Sequence, residues 1–297
     1  MNGFHYDEAF SRNIGWVTSA EQRALRRKRV AIAGLGGVGG VHLLTLARLG
    51  IGAFNIADFD AFDLANFNRQ TGALMSTLGR SKVEVLAEAA LDINPELDLQ
   101  VFPEGVSEGN LDRFLAGADV YVDGLDFFAF EARRSTFAAC ARLGIPAVTA
   151  APLGMGAAVL NFLPGRMTFE EYFQLSGRPE PEQAIRFLLG LSPRMLQRSY
   201  LVDPNAVAFA EQRGPSTAMA CQLCAGMAAT EALKIMLNRG KVHAAPVVVH
   251  FDAYRSKLTR TWRPWGNRNP LQRAAIAIAR RQLGMRKRSG QASPRSR

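Results

Sequence analysis

The chain is poor in cysteine and has no long apolar run without charges. Its three cysteines, Cys140, Cys221 and Cys224, are too few for a disulfide framework, so we expect a reducing, cytoplasmic environment. No uncharged apolar run approaches the roughly 20 residues that cross a bilayer. The first residues lack the basic and apolar regions of a signal peptide. We therefore expect a globular protein, and 48% apolar residues in a chain of 297 are enough for a large core.

Acidic residues are missing after Asp252, and this accounts for the net charge of +10. Thirteen of the 36 lysines and arginines follow Asp252, which leaves 23 basic residues against all 26 acidic ones in residues 1–252. The basicity therefore belongs to the C-terminal segment and not to the rest of the chain.

A glycine-rich turn at residues 34–40 lies between a short apolar run and an apolar helical pattern. This order predicts a β-strand, a tight turn and the start of a buried helix. Helix N-termini bind phosphates through free N–H groups and partial positive charge, and glycine lets the backbone approach the ligand. Asp58 follows a second apolar run, 24 residues after Gly34, where an acidic residue binds ribose hydroxyls. These features alone favour an NAD dehydrogenase.

Strand and helix patterns alternate from residue 29 to residue 162. We therefore expect an α/β fold: a Rossmann-like, mostly parallel sheet with helices on both faces, continued by a mixed or antiparallel C-terminal part. Residues 164–215 contain prolines and glycines between short helical pieces, and we expect an irregular crossover excursion there. Residues 219–237 predict a long helix, and residues 247–252 predict the final strand.

Six short motifs occur along the first half of the chain. They are Gly34-Leu35-Gly36-Gly37-Val38-Gly39, Asp58-Phe59-Asp60, Asn66-Phe67-Asn68-Arg69-Gln70, Gly79-Arg80-Ser81-Lys82, Asn94-Pro95 and Asp123-Gly124-Leu125-Asp126. In their order and spacing the chain resembles the ThiF/MoeB family, the bacterial relatives of ubiquitin-activating enzymes. The resemblance covers residues 8–165 closely and residues 214–237 more loosely, and it displaces the dehydrogenase interpretation.

The resemblance implies that ATP activates a carboxylate by reaction at the α-phosphorus, with loss of pyrophosphate. This chemistry needs cations near the phosphates, a carboxylate for Mg²⁺ and anchors for the ribose. By resemblance, Arg69 and Lys82 would contact phosphates and Asp126 would hold Mg²⁺. Arg12 would reach across a homodimer interface into the neighbouring site. The residues that the resemblance assigns to nucleotide binding are Gly34, Gly36, Gly37, Gly39, Asp58, Asp60, Asn66 and Asn68.

The function that the resemblance implies is that of an ATP-dependent adenylyltransferase, a nucleotidyltransferase acting on a protein carboxylate. Its partner would be a ubiquitin-like or sulfur-carrier protein with a Gly-Gly C-terminus. Two alternatives stay open. One is a dehydratase of tRNA threonylcarbamoyladenosine, in which ATP activates a small carboxylate on RNA. The other is a non-catalytic nucleotide-binding module.

The cysteines depart from the family pattern. Many members bind structural zinc through two CxxC pairs, whereas this chain has one pair, Cys221 and Cys224, so we expect no zinc. Residues 164–215 contain no cysteine, which favours adenylation without an enzyme thioester. Cys221 lies at a predicted helix N-terminus, where an exposed thiol has a lowered pKa and could act in a transfer step.

We divide the chain into a ThiF-type adenylation domain, residues 1–265, and a basic C-terminal helix with a disordered tail, residues 266–297. Residues 271–283 combine an apolar stripe with arginines. Such a segment binds RNA, lies on an anionic membrane, or packs on its own domain. The sequence leaves these three alternatives open.

Overall fold

The computed structural model describes residues 3–208, 211–212 and 214–282. In this part of the chain, eight strands form one sheet. They are β1 (Arg29–Ala33), β2 (Ala53–Ala57), β3 (Asp98–Phe102), β4 (Val120–Asp123), β5 (Ala147–Leu153), β6 (Gly156–Phe162), β7 (Val247–Asp252) and β8 (Lys257–Trp262). Their order is β3-β2-β1-β4-β5-β6-β7-β8. The first five strands pair in parallel and the last three are antiparallel to their neighbours, so the predicted fold class is confirmed.

Helices cover both faces of this sheet. They are α1 (Tyr6–Ala9), α2 (Ser19–Leu25), α3 (Gly39–Arg48), α4 (Lys82–Ile93), α5 (Leu111–Phe114), α6 (Phe130–Leu143), α7 (Phe169–Phe173), α8 (Glu180–Leu191), α9 (Ala218–Met236) and α10 (Pro270–Gln282). On one face α3, α4 and α9 share an apolar cluster that includes Leu43 and Ala228. On the other face α5, α6, α7 and α8 share a cluster that includes Phe137 and Phe187.

The strand order fixes where a ligand meets the sheet. The strands β1 and β4 are neighbours, whereas the chain runs from β1 outward to β2 and β3 before it returns to β4. In open α/β sheets, ligands bind at the carboxyl ends of the strands where the order reverses in this way. The loops after Ala33 and Asp123 therefore border the expected site.

The region expected to be an irregular excursion contains the twelve-residue helix α8. Its Ile185 and Phe187 are buried, and Pro181 lies in its first turn, where proline is tolerated. The predicted C-terminal helix is α10, which packs on α8: Gln272 Nε2 donates to the Leu189 carbonyl at 2.5 Å. Residue 283, the last of the predicted helix, and the residues assigned to a disordered tail, 284–297, lie outside the described residues.

The prediction that residues 247–252 form the last strand is wrong, because β8 pairs with β7 along its whole length. In β8 only Thr261 is buried, so the segment shows no apolar periodicity. Charged residues such as Lys257 are typical of edge strands, because they discourage further strand pairing. Within the described ranges, no helix has the length and hydropathy to cross a membrane.

Candidate active site

The glycine turn joins β1 to α3 at the carboxyl edge of the sheet. Gly34 has a φ of 79°, a conformation that strains any residue with a Cβ. A Cβ there would lie 2.4 Å from the Gly124 carbonyl oxygen, and a Cβ on Gly39 would lie 1.7 Å from the Gly34 carbonyl oxygen. Gly34 and Gly39 therefore serve the close approach of three backbone segments, which brings the N-terminus of α3 against the loop after β4.

Gly36 and Gly37 face the segment that follows β2. A Cβ on Gly36 would lie 3.6 Å from Gln70 Nε2. A Cβ on Gly37 would lie 3.6 Å from Arg69 Cγ and 3.3 Å from Cys221 Sγ. The fold therefore brings the turn together with Arg69 and the first turn of α9. Gln70 has no role in the predicted site, yet its buried Oε1 has no hydrogen-bond partner among the described residues. Such an acceptor needs a donor from a ligand or water.

Asp58 clamps the end of β2 to the glycine turn. Its two carboxylate oxygens accept hydrogen bonds from the backbone amides of Leu35, at 2.6 Å, and Asp60, at 2.8 Å. Burial raises the pKa of Asp58, and these two amides oppose that rise only in part. The carboxylate predicted to bind ribose is thus hydrogen-bonded directly to the turn predicted to hold phosphates.

Lys82 is the first residue of α4, and its ammonium group is held beside Asp60. Lys82 Nζ donates to Asp60 Oδ2 at 2.9 Å. The lysine side chain is 7% exposed and the aspartate side chain 52% exposed. The main chains are joined as well, because the Lys82 amide donates to the Asp60 carbonyl at 2.9 Å. Two residues assigned separately from sequence therefore form one ion pair.

The asparagines of the loop after β2 make local contacts. Asn66 Oδ1 accepts from the Asp63 amide at 3.0 Å, so this side chain caps its own turn. Asn68 Nδ2 donates to the Ser216 carbonyl at 3.0 Å, and Asn68 Oδ1 accepts from Arg69 Nη1 at 2.9 Å. Asn68 thus ties the guanidinium group of Arg69 to the segment that precedes α9.

Asp126 lies in the loop after β4 and is exposed. Its Oδ1 accepts from the Phe128 amide at 2.9 Å. Below it, Asp123 is buried and accepts from Arg133 Nε and Thr149 Oγ1, both at 2.8 Å. Arg133 was not predicted as a site residue, because an arginine within a helix of mixed polarity is typical of the protein surface.

The carboxylate of this loop suits a Mg²⁺ ion that is held partly by phosphate oxygens, and not a metal ion held by protein side chains alone. Among the residues that the structure describes, no group of three or more His, Cys, Asp or Glu side chains is placed to hold a metal. Mg²⁺ in nucleotide sites is usually held by one or two carboxylates together with phosphate oxygens and water. The exposed Asp126 carboxylate is of the right chemistry for that part.

Arg12 does not join the site of its own chain. It is exposed in a short 3₁₀ turn, and its side chain makes no hydrogen bond or ion pair within the described residues. The next residue, Asn13, donates from Nδ2 to the Leu49 carbonyl at 3.2 Å. Leu49 is at the C-terminal end of α3, whereas the glycine turn is at its N-terminal end. A role for Arg12 in catalysis therefore requires a second copy of the chain.

The cysteine pair lies in the core. Cys221 and Cys224 are both buried in α9, and burial raises the pKa of both thiols. A lowered pKa of the Cys221 thiol would require an exposed side chain, and Cys221 is buried. Its Sγ nevertheless lies close to the glycine turn. Cys140 is buried on α6, and burial raises its pKa as well.

The strand order, the glycine turn and the carboxylate after β2 define a Rossmann-like α/β protein. A profile of the ThiF family matches residues 10–274. The chain belongs to the ThiF family.

Similar proteins within this family have different named activities. The chain is 33% identical to the tRNA threonylcarbamoyladenosine dehydratase of Bacillus subtilis over 150 residues, covering 50% of this chain and 57% of that one. It is 32% identical to the sulfur carrier protein ThiS adenylyltransferase of Escherichia coli over 143 residues, covering 48% and 56%. The chain thus spans little more than half the length of these curated relatives. The crystal structure of E. coli MccB with ATP has the same fold, with a TM-score of 0.66 and 19% identity. The match covers 88% of this chain and 71% of that one.

Proposed function

We propose that the chain is an ATP-dependent adenylyltransferase that joins AMP to a carboxylate and releases pyrophosphate. The observation that carries the proposal is the convergence, at one edge of the sheet, of the glycine turn with the loops that hold Arg69 and Asp126. A hydride-transfer site has no need for this set of cations and a metal-binding carboxylate. Adenylation needs them, because charge on the phosphate oxygens must be neutralised while pyrophosphate leaves.

Each residue has a role that follows from its position. The N-terminus of α3 and the guanidinium of Arg69 would hold phosphate oxygens. Lys82 would exchange Asp60 for a phosphate oxygen as the nucleotide enters. Asp58 would accept from the ribose hydroxyls, and Asp126 would hold Mg²⁺, which supplies further positive charge at the phosphates when bound. The structure of the same fold, E. coli MccB, was solved with ATP, which supports ATP as the ligand of this chain.

A surface beside α9 supports a protein as the acceptor. In the described part of the chain, α9 packs on β5 and β6, and no helix makes extensive contact with the same face of β7 and β8. In the register of these strands Phe251 is opposite Leu258 and Val247 is opposite Trp262. Leu258 is 55% exposed and Trp262 66% exposed, and the exposed Arg260 lies between them on the same face. Exposed apolar and aromatic side chains beside an arginine are typical of protein interfaces.

This sheet face continues into a groove of about 730 Å³ along α9. The groove is lined mainly by apolar side chains, among them Met219, Leu223, Met227 and Val249. Met219 and Leu223 belong to the same helical turns as Cys221, which lies against the glycine turn. A carrier protein seated here could extend its C-terminal tail to the α-phosphate, so we propose that the carboxylate is the Gly-Gly end of a ubiquitin-like or sulfur-carrier protein.

Pyrophosphate exchange into ATP tests this assignment. Exchange that depends on a carrier protein with a Gly-Gly end is the expected result. The L258E variant should weaken the apparent affinity for the carrier by about tenfold or more, as at interface hot spots, and leave ATP binding unchanged. L271E is the matched control, because Leu271 is exposed on α10. ATP binding without exchange in the presence of any carrier would contradict the proposal.

A homodimer is part of the same proposal. Large apolar side chains are exposed on both sides of the expected contact: Trp16, 86% exposed, follows Arg12, and Leu64 and Met75, 61% and 73% exposed, lie between β2 and Lys82. In a two-fold dimer each of these patches would meet the other on the partner. The arrangement would carry Arg12 of one copy to the nucleotide site of the second.

A second candidate function is favoured by the 33% identity to a tRNA threonylcarbamoyladenosine dehydratase and by the exposed arginines of α10, Arg273 and Arg281. The variant that tests these arginines is R273E/R281E, because it reverses their charge and leaves the fold before α10 complete, where the buried Asn267 donates to the Phe173 carbonyl at 2.7 Å. Salt-dependent tRNA binding lost in this variant, with ATP-dependent cyclisation of threonylcarbamoyladenosine by the wild type, would replace the carrier with RNA.

A further inference from the structure

We propose that Arg133 is a positioning residue that sets the loop carrying Asp126, and that α8 holds Arg133 in place for this task. The inference rests on the proposed function for the role of Asp126. The arrangement of the loop itself can be tested without any activity.

Arg133 is buried, with 3% of its side chain exposed, and it serves the loop almost entirely. Nε donates to Asp123 Oδ2 at 2.8 Å, and Nη2 donates to the carbonyls of Leu125, at 2.6 Å, and Asp126, at 2.9 Å. Nη1 donates to the Phe127 carbonyl at 3.3 Å. Four of the five N–H donors of a guanidinium are thus directed at residues 123–127.

These contacts hold Asp126 at two of its three acceptor atoms, the carbonyl oxygen and Oδ1. Arg133 holds the Asp126 carbonyl, and the Phe128 amide holds Asp126 Oδ1. Asp126 Oδ2 has no hydrogen bond to any residue that the structure describes. The loop therefore presents one carboxylate oxygen in a set direction, which is what a metal-binding carboxylate needs from its surroundings.

Phe187 of α8 supports the other side of the guanidinium. Arg133 Cζ lies 4.8 Å from the centre of the Phe187 ring, within the range of a cation–π contact. The Phe187 ring also packs on Phe127, with 5.2 Å between ring centres. Because Gln272 of α10 bonds to the Leu189 carbonyl, α8 is itself held by the C-terminal helix. A continuous line of packed groups thus leads from α10 to Asp126.

A lysine cannot replace this arginine, because an ammonium group cannot form the same planar set of bonds. R133K keeps the charge beside Asp123 but loses most of the bonds to the loop carbonyls. R134K is the matched control, because the neighbouring Arg134 pairs with the half-exposed Glu170 at 2.8 Å. F187L keeps the hydrogen bonds of Arg133 and removes the aromatic ring from Arg133. It also removes the ring contacts of Phe187 with Phe127, Phe130 and Phe173, so its effect reports the support that α8 gives to the loop as a whole.

Amide hydrogen exchange of residues 124–128, measured without nucleotide, gives the readout that does not depend on activity. In R133K these amides should exchange about tenfold faster or more, and the Mg²⁺ concentration for half-maximal pyrophosphate exchange should rise about tenfold. ATP binding without Mg²⁺ should stay within about twofold of wild type. F187L should move both readouts in the same direction by about threefold, and R134K should move neither.

Wild-type loop exchange in folded R133K or F187L would overturn the inference. So would equal effects of R133K and R134K. If R133K does not fold, F187L alone decides, because it keeps the buried ion pair. A wild-type enzyme without any pyrophosphate exchange would refute the proposed function, whereas the amide exchange of the variants would still decide whether Arg133 holds the loop.

Discussion

Lys82 Nζ lies 2.9 Å from Asp60 Oδ2, so the lysine assigned to the phosphates is paired with a carboxylate of the same site. The pair keeps a nearly buried ammonium compensated while no anion is bound, because an unpaired buried charge is costly. The half-exposed Asp60 can regain water when the lysine turns to a phosphate.

We expect K82M to lower the rate of pyrophosphate exchange by about 10²–10³, the usual cost of removing one group that stabilises transition-state charge. The melting temperature should hardly change, because methionine fills a similar volume and Asp60 is free to be hydrated. R80M is the control, since Arg80 pairs with the exposed Glu88 at 2.6 Å. Equal rates for K82M and wild type would exclude Lys82 from the reaction.

The two aspartates of the motif after β4 should behave in opposite ways. Asp126 is exposed, so D126N should preserve the melting temperature and reduce Mg²⁺-dependent exchange by about 10² or more. Asp123 is buried against Arg133, so D123N should cost about 3–5 kcal/mol of unfolding free energy by leaving a buried charge without its partner. Urea unfolding and exchange assays on both variants measure the contrast. A stable D123N together with an unstable D126N would reverse our assignment of the structural and functional carboxylates.

Mixing two inactive variants tests whether Arg12 acts on a partner subunit. R12A and D126N should each lack exchange activity. R12A lacks the arginine that reaches the partner's site, and D126N lacks the carboxylate for Mg²⁺ in its own site. In mixed dimers one of the two sites combines an intact Asp126 with the intact Arg12 of the second copy. Random re-association should therefore restore roughly a quarter of the wild-type activity. If Arg12 acted within its own chain, the mixture would stay inactive.

Cys221 should be dispensable for adenylate formation. Its thiol is buried beside the glycine turn, and burial raises its pKa, so little thiolate is present near neutral pH. We expect C221S to retain exchange activity within about threefold. Intact-mass analysis under non-reducing conditions should show no carrier attached to the wild-type enzyme. A carrier adduct lost in C221S would instead show that this cysteine becomes exposed and accepts the activated carboxylate.

The parts of the fold that the sequence predicts correctly are those where one segment determines its own structure. The strand, glycine turn and helix at residues 29–48 depend on apolar runs and on glycine geometry. Both of these features can be recognised in the local sequence. Strand β8 was missed because it is an edge strand, paired with β7 alone and solvated on much of its surface. Its identity as a strand comes from hydrogen bonds to a neighbour, which leave no apolar period.

The site shows the same division. The motifs indicate Asp58, Lys82 and Asp126, but the pairing of Lys82 with Asp60 depends on how α4 meets the end of β2. Arg133 was missed because its partners lie on the preceding loop and on α8, within a segment predicted to be irregular. Residue types mark where chemistry is available, whereas the contacts that orient them are tertiary and have no sequence period.

His42 gives the protein a defined sensitivity to acid. The side chain is fully buried in α3, and neither ring nitrogen has a hydrogen-bond partner in the described part of the chain. Burial lowers its pKa from 6.5 to about 4, and the charge of Asp123 opposes this only in part. As the pH falls from 6.5 to about 4, the unfolded chain binds a proton at this residue and the folded chain does not. The free energy of unfolding should therefore decrease on acidification, by on the order of 3 kcal/mol from His42 alone.

We expect H42L to remove this contribution, because leucine fills the buried position and does not titrate. Urea unfolding from pH 6.5 down to about 4 should give a flatter stability profile for H42L than for wild type, with the difference closing toward neutral pH. H5Q is the control, since His5 is exposed and its removal should leave the profile unchanged. Parallel profiles for H42L and wild type would mean that His42 finds a hydrogen-bond partner or water in solution and is protonated without unfolding. In that case the His42 ring would stabilise α3 through a polar contact, and its burial would not lower the free energy of unfolding at acid pH.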